Sequence, residues 1–278
     1  MSRRFKQVDV FTTTPFMGNP LAVVLDAEGL SGERMQAIAR WTNLSETTFV
    51  LPATDPAADY RVRIFTTAEE FPFAGHPTLG TAHALLEAGL KPKTAGTLVQ
   101  ECGVGLVPVR IGDGLAFRAP PATIAALDAG LMPLLLTALG SGTPAGDAPV
   151  VVDMGIRWLV VRLGDAADCM ALTFDAATLG NLAHRAAING LAVYGPHPSG
   201  GPADYEVRAV CVENGVLIED PVTGSANACI ARVLAGRDYT VRQGTALGRD
   251  GRVTVTCRDG EPWIGGQAVT IIDGVMRS

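Results

Sequence analysis

The chain has 278 residues, 47% of them apolar, enough to bury one large core or two ordinary ones. A formal net charge of −6 without any Lys/Arg cluster argues against nucleic-acid binding. The five cysteines (Cys102, Cys169, Cys211, Cys229, Cys257) are odd in number and lack Cys-x-x-Cys spacing, so neither a disulfide framework nor a zinc site is expected. With no signal-peptide pattern and no apolar run of membrane-spanning length, the default expectation is a cytoplasmic globular protein.

In chain order, Gln7-Val8-Asp9-Val10-Phe11 alternates like a strand, and after the loop 15–20, Leu21-Ala22-Val23-Val24-Leu25 reads as a buried one. Ser31 predicts a helix N-cap, with Arg34 standing where a capping box would have Glu or Gln. The helix behind it uses Met35, Ile38, Ala39 and Trp41. Asn43-Leu44-Ser45-Glu46 leaves that helix, and Thr47-Thr48-Phe49-Val50-Leu51 resumes β character, so Glu46 sits where a loop meets an apolar strand. Next comes an extended run from Phe65 into Phe73-Ala74-Gly75-His76-Pro77, with Pro77 suited to the first helical position. Leu79, Ala82, Leu85 and Leu86 continue as a helical stripe to Gly89. Antiparallel strands over 97–102, 105–111 and 115–118 follow, and Ala119-Pro120-Pro121 opens a crossover to Pro149.

The second half repeats this plan. Strands at 150–153 and 158–163, a helix over 178–187 and a strand at 191–194 lead to Glu219-Asp220-Pro221-Val222-Thr223-Gly224-Ser225, a second Gly-opened helix start. Tyr60-Arg61-Val62-Arg63 precedes the first turn as Tyr205-Glu206-Val207-Arg208 precedes the second. Closing strands are expected at 243–248, 252–257 and, as one last strand returning to the first half, 264–272. Two domains follow: 1–119 with about 266–278, holding Glu46 and His76, and 120–265, holding Asp220 and Ser225.

Each helix start offers converging N–H groups, at Gly75 and Gly224, that suit a carboxylate. Glu46 reads either as a surface or capping glutamate or as a general acid/base raised in pKa by partial burial. His76 reads as a helix cap or a catalytic group, and Asp220 as a helix-start acid or a site residue whose place in the first copy, at Phe73-Ala74, has no acid. Glu69-Glu70 reads as a solvated edge, and Trp41, Trp158 and Trp263 as core or interface. No GxGxxG, P-loop or HExxH sequence supports a nucleotide or zinc-protease reading.

At Gly18-Asn19-Pro20-Leu21-Ala22, Asn43-Leu44-Ser45-Glu46-Thr47-Thr48, Pro72-Phe73-Ala74-Gly75-His76-Pro77-Thr78, Glu219-Asp220-Pro221-Val222-Thr223-Gly224-Ser225-Ala226 and Gln243-Gly244-Thr245-Ala246-Leu247-Gly248-Arg249, the chain resembles the PhzF-like phenazine-biosynthesis family. The resemblance implies an α+β fold of two pseudo-symmetric diaminopimelate-epimerase-like domains, each a β-rich barrel around a central helix, with the active site between them. It further implies a cofactor-independent, metal-free isomerase, usually a homodimer, acting on a small carboxylate such as trans-2,3-dihydro-3-hydroxyanthranilate. Under it Glu46 is the general acid/base, His76, Asp220 and Ser225 support it, and Gly75 and Gly224 bind the carboxylate. A racemase or epimerase of a small amino or hydroxy acid, and a non-catalytic carboxylate-binding protein, are the alternatives. Unlike the cysteine-type epimerases of the same fold, the chain has no thiols at the two helix starts, which hold Ala74 and the Asp220–Ser225 turn. It departs from the family in Arg208-Ala209-Val210-Cys211 before the second turn, where an aromatic residue is frequent, and in Asn227 where histidine is common, and those positions are expected to shape the substrate pocket.

Overall fold

The computed structural model describes residues 2–140, 142–213 and 215–277. The chain divides into two compact units, Met1–Arg118 with Gly265–Ser278 and Ala119–Ile264.

In the first unit, β1 (Ser2–Val10) pairs antiparallel with β2 (Asn19–Val24), which runs parallel to β3 (Thr47–Leu51) across the crossover helix α1 (Gly32–Thr42). Ser31 caps α1, its Oγ accepting from the Arg34 backbone N–H at 3.2 Å. The helix buries Met35, Ile38 and Ala39, whereas Trp41, expected on the same stripe, is 82% exposed. Strand β3 is buried along its whole length because each of its faces is covered. Phe49 and Leu51 pack with Met35 and Ile38 under α1. Thr48 points the other way and accepts a hydrogen bond from Thr81 Oγ1 at 2.9 Å.

Strands β4 (Tyr60–Phe65) and β5 (Glu70–Phe71) form an antiparallel pair leading into α2 (Gly75–Glu87). This helix packs against β1, β2 and β3, and against β7 (Gly105–Ile111) and β8 (Leu115–Arg118), which follow β6 (Thr97–Cys102). Its approach to the sheet depends on Gly80, where a Cβ would lie 2.6 Å from Leu21 Cδ2 and 2.8 Å from Val10 Cγ2. The helix begins at Gly75, so Pro77 occupies its third position, not its first. A proline is still tolerated there, since the first turn's N–H groups have no intrahelical acceptor.

The second unit repeats the pairing scheme. After β9 (Thr123–Ala126) and α3 (Met132–Ala138), β10 (Val150–Asp153) pairs antiparallel with β11 (Arg157–Arg162). Strand β11 runs parallel to β12 (Gly190–Pro196) across α4 (Ala166–Ala171) and α5 (Ala176–Ala186). Strands β13 (Tyr205–Glu213) and β14 (Val216–Asp220) then lead into α6 (Gly224–Val233), as β4 and β5 lead into α2. Leu135, Leu139, Leu159, Val161, Leu179, Leu182, Leu191 and Val193 form a core between α3, α5 and the strands.

Two expected strands differ in the structure. The stretch 243–248 is not a strand: β15 is Tyr239–Gln243, and a 3₁₀ turn occupies Thr245–Leu247 between Gly244 at φ +92° and Gly248 at φ +69°. Strand β16 (Gly251–Arg258) follows it. The expected single strand 264–272 is two, β17 (Glu261–Gly266) and β18 (Ala268–Arg277), and β18 pairs with β1 in the first unit. The short α3, α4 and β9 were not expected. Among the described residues, no helix is long and apolar enough to cross a membrane.

Candidate active site

Glu46 lies between α1 and β3, immediately before the first residue of the strand. Its side chain is 14% exposed, and its Oε2 is 3.5 Å from Nε2 of His76, the second residue of α2, which is 4% exposed. Burial pushes the His76 imidazole down to about 3, so the ring is neutral at pH 7. His76 Nδ1 faces the amide Nδ2 of Asn19 at 3.4 Å. Ala74, the N-cap of α2, offers no side-chain acceptor, leaving the Gly75 end of the helix with first-turn N–H groups and a positive dipole beside Glu46 and His76.

The start of α6 has the same form with different side chains. Thr223 is a residue type that normally caps a helix, yet it makes no such bond. Its hydroxyl instead donates to Asp220 Oδ2 at 2.6 Å and accepts from Gln243 Nε2 at 2.9 Å. The N-terminal turn at Gly224 and Ser225 therefore has no side-chain cap either. Ser225 Oγ accepts from Trp158 Nε1 at 3.1 Å, which places this tryptophan in the second helix start and not simply in the core. Asp220 and Ser225 are thus held by separate partners within one turn.

Strand register corrects the assignment of Asp220 to the position of Phe73-Ala74. Asp220 pairs with Ala209 as Phe71 pairs with Ile64, and each residue precedes its helix by the same spacing, so Phe71 is its counterpart. The counterpart of Glu46 before β12 is Asn189, which accepts from the Arg157 N–H at 2.8 Å. Neither acid has an acidic equivalent in the other copy.

Two of the positions expected to shape the pocket have partners within the protein. Arg208 forms a bidentate pair with Glu219, Nε to Oε1 at 2.9 Å and Nη2 to Oε2 at 2.8 Å, while its Nη1 donates to the Cys169 and Leu172 carbonyls. Arg63 holds Glu70 by the same atoms in the first unit, at 2.7 and 2.6 Å, so Glu70 is more than a solvated edge. Each pair fixes the strand that delivers the following turn. Asn227, fully buried, donates from Nδ2 to the Thr223 carbonyl and to Gln243 Oε1, both at 2.9 Å. Gln243 also accepts from the Thr223 N–H at 3.1 Å, so it locks the second turn from three sides.

Sequence reasoning assigned no part in the site to Asn19, Trp158 or Gln243. Asn19 and Gln243 fell within the family-like segments, which was their only signal. A groove of about 960 Å³ beside Arg61, Arg63 and Glu101 on β4 and β6 includes neither Glu46 nor His76 and is separate from this chemistry. Among the described residues, no group of three or more His, Cys, Asp or Glu side chains is placed to hold a metal ion.

Residues 8–274 match the sequence profile of the PhzC-PhzF family, described as phenazine biosynthesis-like protein. The chain is 36% identical to Antisense-enhancing sequence 1 of Schizosaccharomyces pombe, over 97% of each protein. It is 37% identical to a trans-2,3-dihydro-3-hydroxyanthranilate isomerase of Pseudomonas aeruginosa, over 90% of this chain and 88% of that one. The crystal structure of a PhzF-family phenazine biosynthesis protein from Bacillus anthracis superposes with a TM-score of 0.87 at 26% identity, covering 100% of both chains. The chain belongs to the PhzC-PhzF phenazine biosynthesis-like family and is an isomerase of that family.

Proposed function

We propose that the protein is a cofactor-independent isomerase that moves a proton between carbons of a small carboxylate, with Glu46 as the general acid/base. The observation that carries this reading is the placement of a mostly buried carboxylate 3.5 Å from a buried histidine at an uncapped helix N-terminus. Under this reading, each unit is a β-rich domain around its central helix, and each helix start is a carboxylate-binding turn. Glu46 takes the proton as the C–H bond breaks, and the electron pair shifts toward the carbon bearing the carboxylate. N–H groups at Gly75 and Gly224 stabilise the charge that develops there. The protonated Glu46, whose carboxyl proton exchanges with solvent, then protonates a second carbon, so the step balances without oxidant or reductant and solvent hydrogen enters the product. Asp220 and Ser225 orient the substrate from the second turn.

The thiols favour one base over two. Burial pushes the Cys229 thiol up to about 12 and the Cys169 thiol higher still, so neither is a base at neutral pH, and neither stands at the first position of a helix start. The substrate class suggested by the Pseudomonas aeruginosa relative is trans-2,3-dihydro-3-hydroxyanthranilate. NMR of that compound with the protein in D₂O tests the proposal: product carrying solvent deuterium at carbon supports an isomerase. Thermal stabilisation by the compound with no exchange and no product would favour the carbon-inert binder. Epimerisation would appear as exchange with inversion at the original carbon. A homodimer is also proposed, and sedimentation giving a monomer at micromolar concentration would reject it.

A further inference from the structure

We propose that Asn19 is a positioning residue for His76: donating from Nδ2 to Nδ1, it holds the neutral imidazole in its Nε2–H form and turns an N–H toward the Glu46 carboxylate. Two independent contacts lead to the same form. A carboxylate has only acceptor atoms, so the ring nitrogen 3.5 Å from Glu46 Oε2 must carry a proton to be attracted to it. In a neutral ring the other nitrogen is then bare and needs a donor, and the amide nitrogen of Asn19 lies 3.4 Å from it. The opposite form sets a lone pair on Nε2 against the carboxylate and requires Asn19 to present its oxygen instead.

The backbone fixes Asn19 in this role. Asn19 is fully buried as the first residue of β2, paired with Val10 across the sheet. The preceding Gly18 donates its N–H to Asp9 Oδ2 at 3.1 Å and passes so close to β1 that a Cβ would lie 2.2 Å from the Val10 carbonyl oxygen. The turn can deliver the asparagine only with a glycine before it. His76 in this form presents an N–H to the Glu46 carboxylate across 3.5 Å, without a formed hydrogen bond. It is not the second base, and it does not shuttle the proton.

The ring's form is read from two-bond ¹H–¹⁵N correlations of the ¹⁵N-labelled full-length protein at neutral pH. His76 is assigned among the four histidines by comparison with His76→Gln. The expected wild-type pattern is a single Nε2–H tautomer. In Asn19→Asp the carboxylate faces the bare nitrogen, and a proton on Nδ1 is expected; in Asn19→Ala the donor is lost, and a mixture of tautomers is expected. A wild-type ring protonated on Nδ1, or unchanged in both variants, overturns the proposal. If Asn19→Asp does not fold, the wild-type spectrum and Asn19→Ala still decide. The mechanistic meaning rests on Glu46 being the catalytic base, but the spectrum needs no turnover, so failure of that reading is distinguishable from failure of this one.

Discussion

Replacing Glu219 by leucine removes the carboxylate from a guanidinium that is only 8% exposed, leaving Arg208 with two carbonyl acceptors and the Phe174 ring, 4.7 Å from its centre. Breaking a buried pair by deleting one partner costs about 3–5 kcal/mol, because the remaining charge stays desolvated. The matching pair Arg63–Glu70 has the same atoms in contact but side chains 33% and 41% exposed. Water can solvate what Glu70→Leu leaves behind, so that change should cost about 0.2–1 kcal/mol. At roughly 2–4 °C in Tm per kcal/mol for a domain of this size, Glu219→Leu should lower Tm by about 6–20 °C and Glu70→Leu by at most about 4 °C. Differential scanning calorimetry of the two variants reads the contrast directly. The double variant Arg208→Met with Glu219→Leu should recover most of the loss, since an apolar pair carries no desolvation penalty. Equal shifts for the two single variants would refute the claim that burial, and not the bidentate geometry, sets the strength of the duplicated pair.

Ser225→Ala should lower stability by about 1–3 kcal/mol, because it leaves the Trp158 indole N–H without its acceptor inside the protein; urea denaturation measures it. Lys6, almost fully buried, donates to Glu87 and Asp273 at 2.7 Å each, and its hydrogen bond holds the Glu87 carboxyl below its ordinary 4.5. A depressed carboxylate contributes its stability in full above the unfolded pKa and loses it as pH falls through the folded one. The Tm gap between wild type and Lys6→Met should therefore be constant above the ordinary carboxylate range and narrow on acidification; a gap that widens in acid contradicts the pairing. Cys102, Cys211 and Cys257 are half-buried while Cys169 and Cys229 are buried, so a thiol reagent should titrate the first three in the folded protein and all five only in denaturant.

The elements visible in the sequence are those with a local signature. Ser31 announced α1, and the glycine-opened turns at Gly75 and Gly224 announced α2 and α6, because caps and turn residues act within a few positions of themselves. The duplicated Tyr-x-Val-Arg run marked β4 and β13, whose registers confirm the shared order of strands in the two units. What stayed hidden was short or non-periodic. Strand β9 and helices α3 and α4 have 4, 7 and 6 residues, too few for an apolar period to declare itself. Thr245-Ala246-Leu247 looked like strand because a three-residue run cannot show the positive φ of the glycines that bracket it. The catalytic candidates were legible as motif residues, but their partners were not. Asn19 and His76 are separated by 57 positions, and only folding of β2 against α2 brings them together. The partner of Arg208 was likewise hidden until the β13–β14 register set it beside Glu219.

The most direct test of Glu46 as the single base is the rate of solvent-deuterium incorporation by Glu46→Gln against wild type, on whichever carboxylate the wild type turns over. The variant keeps the size of the side chain, so the fold and Tm should be unchanged. Loss of general acid–base help predicts a fall in kcat of at least about 10²–10⁴, with much smaller change in KM. A folded Glu46→Gln that exchanges and isomerises at the wild-type rate would contradict the mechanism outright.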